Sequence, residues 1–233
     1  MNAQRPFRRD WQLPRFSIVF ALVCTLLIAP LVVQRVTAAA SNPRIAVFGD
    51  SISARYNDKP GNSRQAWWSI VGRHYKIGVK TFAQSGSGYV RDGRRCTGNR
   101  FGDRVDAVAR SSPRIVIVEG GRNDWAYCTG RALSETSNAQ VKAAVDRFLT
   151  KLKRALPTTK IYVLGPPWGT RDASQRSRIN SIIKSSAKRH QMLFIDTQGV
   201  FEGKRTLDGT HPNRVGSKAL GNRVIEAIGP QFP

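Results

Sequence analysis

Three residues, Ser51, Asp208 and His211, have the types needed for a nucleophile, its general base and the carboxylate that orients the base. Ser51 ends a Gly-Asp-Ser sequence at residues 49–51, and His211 ends Asp-Gly-Thr-His at residues 208–211. Gly209 would let the chain turn so that the Asp208 carboxylate reaches the His211 imidazole. The carboxylate would hold a proton on one ring nitrogen and leave the other free to take the serine proton. Gly-Asp-Ser alone is more typical of a helix cap than of a catalytic nucleophile. The chain has three histidines, and only His211 has such neighbours, so we predict it as the base.

Two further motifs could stabilise the negative oxygen that forms when a serine attacks an acyl group. Gly86, in Gln-Ser-Gly-Ser-Gly-Tyr at residues 84–89, offers a backbone N–H with no side chain in the way. Asn123, in Gly-Arg-Asn-Asp at residues 121–124, offers a side-chain amide. We predict both as oxyanion donors, and we expect Asp124 to hold its loop rather than to orient the base.

The elements that must position these residues follow an alternating pattern. Short runs that are apolar on both sides predict strands buried in a parallel sheet, and amphipathic stretches between them predict helices. This alternation predicts an α/β fold, a three-layer α/β/α sandwich around a parallel sheet of about five strands. The predicted strands are Arg44–Phe48, Ile77–Phe82, Arg114–Val118, Lys160–Leu164 and Met192–Ile195. The predicted helices are Arg64–His74, Asp103–Arg110, Asn138–Ala155, Arg171–Arg189 and Val215–Ile228.

Each motif follows the end of a predicted strand. Ser51 follows the first strand, Gly86 the second, Asn123 the third and His211 the fifth. Sites in such sheets form outside the carboxyl ends of the strands. We therefore expect the four motifs to meet at one edge of the sheet.

In this order, the four motifs resemble those of the SGNH, or GDSL-type, hydrolases, over Ile45 to about Asn213. The resemblance implies a flavodoxin-like sandwich and an esterase, lipase or acylhydrolase that needs no cofactor or metal. It implies Ser51 as nucleophile, His211 as base and Asp208 as its support, with the Ser51 N–H joining Gly86 and Asn123 in the oxyanion hole. Ile52 stands where the family name implies leucine, a minor change. No Gly-x-Ser-x-Gly elbow, which would indicate an α/β-hydrolase, occurs in the chain.

The first forty residues have the pattern of an export signal. Four arginines precede an uncharged apolar run at residues 16–33, and small residues follow up to Ala40. We predict a signal peptide at residues 1–40, cleaved before Ser41, with a catalytic domain at residues 41–233. The apolar run is also long enough for an uncleaved membrane anchor. Either interpretation predicts a secreted protein or one associated with the cell envelope.

The cysteines fit an exported domain. Cys96 and Cys128 are the two that follow residue 40, and an even pair outside the cytoplasm favours a disulfide. Such a bond would join the loops that follow Gly86 and Asn123. Two unrelated buried thiols are the alternative.

The chain is strongly basic, with a formal charge of +23. Residues 1–40 contain five arginines and one aspartate, so about +19 belongs to the remainder. Nucleic acid is not the favoured partner, because the charges are spread along the chain without a pattern of stacking aromatics. For an exported protein, anionic envelope polymers or acidic lipid headgroups fit better. A generally solvated basic surface is the simpler alternative.

The ester itself is not specified by the sequence. Trp125 and Trp168 are the best candidates for a substrate pocket, because each lies in a loop at the predicted catalytic edge. A lipid or small-ester esterase and a polysaccharide deacylase fit equally, and an acyltransferase would use the same residues. A cationic envelope-binding protein without activity is the alternative of a different class. Such a protein would be expected to lack a base or an oxyanion donor, whereas this chain has candidates for both.

Overall fold

The computed structural model describes residues 45–54, 63–168 and 173–230. All of them belong to the compact unit Asn42–Pro233. The predicted signal or anchor at residues 1–40 and its cleavage site lie outside the described residues. Within the described part, no helix combines the length and the apolar character needed to cross a membrane.

Five parallel strands form the central sheet. They are β1 Ile45–Gly49, β2 Val79–Ala83, β3 Ile115–Val118, β6 Lys160–Leu164 and β7 Leu193–Ile195. Their order across the sheet is β2-β1-β3-β6-β7. Alternate side chains of each strand enter opposite layers, so both faces of the sheet are covered. In β1, Ala46 and Phe48 pack into one buried cluster, and Ile45 and Val47 pack into the other. An antiparallel hairpin, β4 Ala126–Thr129 and β5 Ala132–Glu135, stands apart from this sheet.

Helices cover both faces of the sheet. They are α1 Ser51–Ala54, α2 Trp67–Tyr75, α3 Val105–Ala109, α4 Asn138–Ala155, α5 Ala173–Arg189 and α6 Arg214–Ile228. Residues of α3, α4 and α5 belong to the buried cluster on one face, and residues of α2 and α6 belong to the cluster on the other. Single 3₁₀ turns span Ser63–Gln65, Arg94–Cys96, Phe101–Arg104 and Arg122–Trp125.

The predicted fold class is confirmed, and the differences lie at element ends and in one hairpin. Helix α4 has the predicted bounds, and its first residue follows from a cap at Ser137: the Ser137 hydroxyl accepts from Gln140 N at 3.2 Å, and Gln140 Oε1 accepts from Ser137 N at 2.8 Å. The predicted helix Asp103–Arg110 is instead a 3₁₀ turn followed by the short α3. The hairpin β4–β5 was not predicted, since its four-residue strands carry no clear alternation.

Candidate active site

Ser51 is the first residue of α1, and only Asp50 separates it from the end of β1. The turn is tight: a Cβ on Gly49 would lie 2.3 Å from the Cβ of Ser53, so the position requires glycine. Asp50 is fully buried, and its Oδ1 accepts from Ile52 N at 2.8 Å. This hydrogen bond satisfies one N–H of the first helical turn and fixes the conformation from which Ser51 projects.

Ser51, His211 and Asp208 form one hydrogen-bonded chain. His211 Nε2 lies 2.9 Å from Ser51 Oγ, and His211 Nδ1 lies 2.8 Å from Asp208 Oδ2. The other oxygen of Asp208 accepts the backbone N–H groups of Thr210 and His211, at 2.9 and 2.8 Å. Partial burial acts to raise the pKa of Asp208, but these hydrogen bonds outweigh it and lower the pKa to about 2. The carboxylate therefore stays ionised at neutral pH and can hold a proton on Nδ1, leaving Nε2 to accept one from serine.

The predicted oxyanion donors also lie at this edge. The backbone N–H groups of Ser51 and Gly86 donate to no protein acceptor among residues 45–54, 63–168 and 173–230. Gly86 has φ +74°, a backbone conformation that favours glycine, and a Cβ there would lie 2.6 Å from Arg94 N. Both the backbone conformation and the lack of space therefore require glycine at this position. Asn123 Nδ2 lies 2.9 Å from Ser87 O and 3.2 Å from Asp50 Oδ2. These contacts hold the amide beside the nucleophile's turn, and a substrate oxygen would compete with one of them.

Asp124 joins the Gly86 and Asn123 loops. Its carboxylate is fully buried and accepts three backbone N–H groups, from Tyr89 at 3.0 Å, Val90 at 2.7 Å and Arg91 at 3.3 Å. Burial raises its pKa to about 6 in spite of these hydrogen bonds. The contacts agree with the expectation that Asp124 holds its loop.

Arg104, a residue that sequence reasoning missed, ties the strand ends to the Gly86 loop. Its guanidinium donates to Phe82 O in β2, to Gly49 O in β1 at 3.4 Å and to Ser87 Oγ at 2.8 Å. It also lies 5.0 Å from the centre of the Phe101 ring. Burial lowers the pKa of Arg104 to about 10, which still leaves it charged at neutral pH.

A second buried network, also missed from sequence, lies below the nucleophile's turn. Ser53 Oγ donates to Glu119 Oε2 at 2.7 Å and accepts from Trp67 Nε1 at 3.0 Å. Glu119 follows β3 and is fully buried, and burial, with the neighbouring Asp50 carboxyl, raises its pKa well above the usual range. Burial likewise raises the pKa of Asp50 to about 6. Two adjacent buried carboxyls cannot both ionise cheaply, so a neutral Glu119 fits this arrangement.

Arg122 links the Asn123 loop to the histidine loop, because its guanidinium donates to Thr210 Oγ1. The motif residue beside the oxyanion donor therefore contacts the motif that carries the base. The sequence holds one signal for this contact, which is the position of Arg122 inside the Gly-Arg-Asn-Asp motif.

A cavity of about 320 Å³ adjoins Asn123 and holds both predicted substrate-binding tryptophans. Trp168 is buried, whereas Trp125 is 42% exposed. Arg122 and Gln175 complete the lining, so the cavity combines aromatic and polar walls. A larger surface cavity of about 650 Å³ lies at the amino end of β6 and contains none of the predicted catalytic residues.

Cys96 and Cys128 form a disulfide, which joins the 3₁₀ turn Arg94–Cys96 to strand β4. The bond therefore ties the segment after Gly86 to the segment after Asn123, as the sequence suggested. Among the described residues, no group of three or more His, Cys, Asp and Glu side chains is arranged to hold a metal ion.

The sequence matches one known protein family. The sequence profile of the GDSL-like lipase/acylhydrolase family matches residues 47–219. No curated protein matches the chain in sequence.

Solved structures share the fold. Est24, a carbohydrate acetylesterase from Sinorhizobium meliloti, is similar with a TM-score of 0.65 and 15% identity, over 81% of this chain and 99% of that one. A carbohydrate esterase family 2 enzyme with a carbohydrate-binding domain from Corynascus thermopiles has a TM-score of 0.63 and 20% identity, over 81% of this chain and 66% of that one. The lipase/acylhydrolase from Enterococcus faecalis has a TM-score of 0.60 and 16% identity, over 81% of this chain and 98% of that one.

Proposed function

Because the chain belongs to the GDSL-like lipase/acylhydrolase family, we propose that this hydrolytic enzyme cleaves carboxylic esters through an acyl-Ser51 intermediate. The observation that carries the proposal is the continuous hydrogen-bonded chain from Asp208 through His211 to Ser51 Oγ. Such a chain activates a serine that is otherwise a poor nucleophile at neutral pH.

In the first half of the reaction, His211 Nε2 takes the proton of Ser51 Oγ as the oxygen attacks the acyl carbon. The ionised Asp208 stabilises the imidazolium that forms. The negative carbonyl oxygen would be met by the N–H groups of Ser51 and Gly86 and the Asn123 amide. His211 then gives its proton to the departing alcohol, and the acyl group remains on Ser51 as an ester.

In the second half, water enters beside His211, which removes a proton from it as it attacks the acyl-serine. The same oxyanion donors act again. Collapse of the second tetrahedral intermediate returns the proton to Ser51 Oγ and releases a carboxylic acid. An alcohol in place of water would give an acyltransferase from the same residues.

The proposed substrate is a short acyl ester on a carbohydrate. The cavity beside Asn123 supports this choice, because an exposed tryptophan with polar neighbours suits a sugar ring better than a long acyl chain. Two of the structurally similar proteins are a carbohydrate acetylesterase and a family 2 carbohydrate esterase, which favours the same class. The alternative, a lipid ester, predicts faster turnover as the acyl chain grows.

The proposed location is outside the cytoplasm, in the cell envelope or the medium. The Cys96–Cys128 disulfide supports it, since such bonds persist in oxidising compartments. The arginine-flanked apolar run at residues 16–33 supports it from the sequence.

The test is pre-steady-state kinetics of the full chain with p-nitrophenyl acetate and p-nitrophenyl octanoate. We expect a burst of nitrophenol equal to the enzyme concentration, faster for the acetate, that is lost in Ser51→Ala. His211→Ala should slow acylation by about 10³-fold or more. Undiminished turnover by either variant would refute the assignment. No turnover of any ester by the folded, disulfide-bonded protein would favour the envelope-binding alternative.

A further inference from the structure

An arginine-rich segment runs alongside the loop that carries the Gly86 donor. Arg94 N donates to Ser85 O at 2.9 Å, Gly88 N donates to Arg91 O at 3.1 Å, and Ser87 and Asp92 form an antiparallel bridge. The two segments therefore lie against each other as a short ribbon. The backbone of Arg94 comes within 3 Å of the point where a Gly86 Cβ would stand. This segment is in contact with the oxyanion loop itself.

This segment carries more positive charge than its acidic neighbours balance. Residues 91–100 contain four arginines and one aspartate, and that aspartate, Asp92, is paired with Arg100. Arg94 and Arg95 are exposed and have no acidic partner in the part of the chain that the structure describes. Arg91 differs from them, because it is half-buried, which lowers its pKa, and the neighbouring Asp124 carboxyl acts to raise that pKa. The charge without an acidic partner in this segment therefore belongs to Arg94 and Arg95.

The disulfide adds one more arginine and fixes the segment. Cys128 lies in β4, so the bond from Cys96 places the arginine segment beside the hairpin turn that carries Arg131. Cys96 Sγ also lies 3.7 Å from Ala132 O, the residue after Arg131. Arg131 is exposed and, within the described ranges, has no acidic partner either. The ribbon and the disulfide thus hold the exposed Arg94, Arg95 and Arg131 on one side of the site, rather than in a flexible basic tail.

We propose that Arg94, Arg95 and Arg131 bind a polyanionic glycan, whose acyl esters are presented in turn to Ser51. The inference rests on the proposed function and names the class of its substrate. Guanidinium groups pair with carboxylates through two parallel hydrogen bonds, so several exposed arginines near one another suit a chain that carries repeated acidic groups. A positive rim also raises the local concentration of an anionic substrate, an effect that salt weakens over a Debye length of about 8–10 Å.

The experiment measures acetate release by the full chain from two polymers with equal degrees of acetylation. One is O-acetylated polygalacturonate, which is anionic, and the other is O-acetylated xylan, which is neutral. Each is assayed between 20 and 300 mM NaCl (roughly the range over which the Debye length falls from about 20 to below 8 Å). p-Nitrophenyl acetate is measured in parallel as a neutral reporter of the chemistry.

We expect kcat/KM for the anionic polymer to exceed that for xylan by about tenfold at low salt and to lose most of this advantage at high salt. Arg94→Gln/Arg95→Gln should lower kcat/KM for the anionic polymer at least fivefold more than for p-nitrophenyl acetate. The control Arg154→Gln/Lys160→Gln removes two exposed charges near the amino end of β6 and should change neither ratio.

Three results would overturn the inference, and they can be told apart. Equal rates on the two polymers at all salt concentrations, with p-nitrophenyl acetate still cleaved, would refute the glycan surface and leave the esterase intact. Activation by vesicles of acidic phospholipid, but not by the anionic polymer, would assign the arginines to a lipid surface. Loss of all ester cleavage, including that of p-nitrophenyl acetate, would remove the proposed function and this inference together.

Discussion

Replacing Arg104 by methionine tests whether a residue outside the predicted motifs positions the oxyanion hole. Methionine keeps an unbranched apolar chain against Phe101 but removes the hydrogen bonds to Phe82 O, Gly49 O and Ser87 Oγ. Two of these acceptors keep other partners: Gly49 O accepts from Gln84 N at 3.0 Å, and Ser87 Oγ donates to Gln84 O at 2.7 Å. The main loss is therefore the charged donor to Phe82 O.

The effect on stability should be small because two large terms oppose each other. Losing the charge-assisted hydrogen bonds to Phe82 O and Ser87 Oγ costs about 3–4 kcal/mol. Losing the cation–π contact between the guanidinium and the Phe101 ring costs about 1 kcal/mol more. Burial lowers the pKa of Arg104 from 12.5 to about 10, so methionine relieves about 3 kcal/mol spent on keeping the charge buried. We expect a net destabilisation of about 1–2 kcal/mol.

The effect on catalysis should be larger, since Arg104 ties the ends of β1 and β2 to the loop that carries Gly86. Misplacing one oxyanion donor typically costs about 10²-fold in kcat. We expect kcat for p-nitrophenyl acetate to fall about 10- to 100-fold with KM changed less than threefold, and Arg104→Lys to recover part of it. Urea denaturation measures the stability in parallel. A variant that is destabilised as expected but keeps kcat within threefold of wild type would refute the positioning role.

Three further predictions follow from the site and its surroundings. Asp208→Asn keeps an oxygen for the two backbone N–H groups but turns an N–H toward His211 Nδ1, which should reverse the imidazole tautomer. We expect kcat to fall about 10³-fold or more with KM nearly unchanged, and a loss below tenfold would contradict the orienting role. Glu119→Gln should leave the free energy of unfolding within about 1 kcal/mol of wild type at about pH 4, where Glu119 is neutral in both the folded and the unfolded chain, whereas Glu119→Ala should cost about 2–4 kcal/mol. Since the folded pKa of Glu119 is raised, wild type binds a proton that the unfolded chain has released, so its stability relative to Glu119→Gln should fall as pH rises above about 4.5. Denaturation curves at several pH values measure this difference, and a constant difference would show that Glu119 is ionised in the fold. Cys96→Ala/Cys128→Ala opens a crosslink of sequence separation 32 and should lower the free energy of unfolding by about 3–4 kcal/mol, with a loss below about 1 kcal/mol contradicting this prediction.

Much of the fold could be predicted because it depends on local patterns. Strands such as Ile115–Val118 are short and wholly apolar, and a strand buried on both faces needs no other signal. Helix Asn138–Ala155 has its bounds in its own residues, through the Ser137 cap. The hairpin Ala126–Glu135 could not be predicted in this way, since its strands are short and partly polar and a disulfide ties β4 to a distant turn.

The sequence by itself determined which residue types could do the chemistry and that they would share one edge. In a parallel sheet all carboxyl ends lie on one side, so residues that follow different strands meet without any knowledge of packing. Ser51, Gly86, Asn123 and His211 each follow a different strand, so they share that side of the sheet.

Only the tertiary structure decided how the site is supported and what surrounds it. Arg104 reaches acceptors 17 to 55 residues away, and Glu119 meets Ser53 across 66 residues. Such contacts depend on the lateral order of strands and on the rotamers of buried polar groups, neither of which has a periodicity that a sequence displays. The same holds for the free arginines beside Gly86, whose proximity comes from a ribbon and a disulfide formed only when the chain folds.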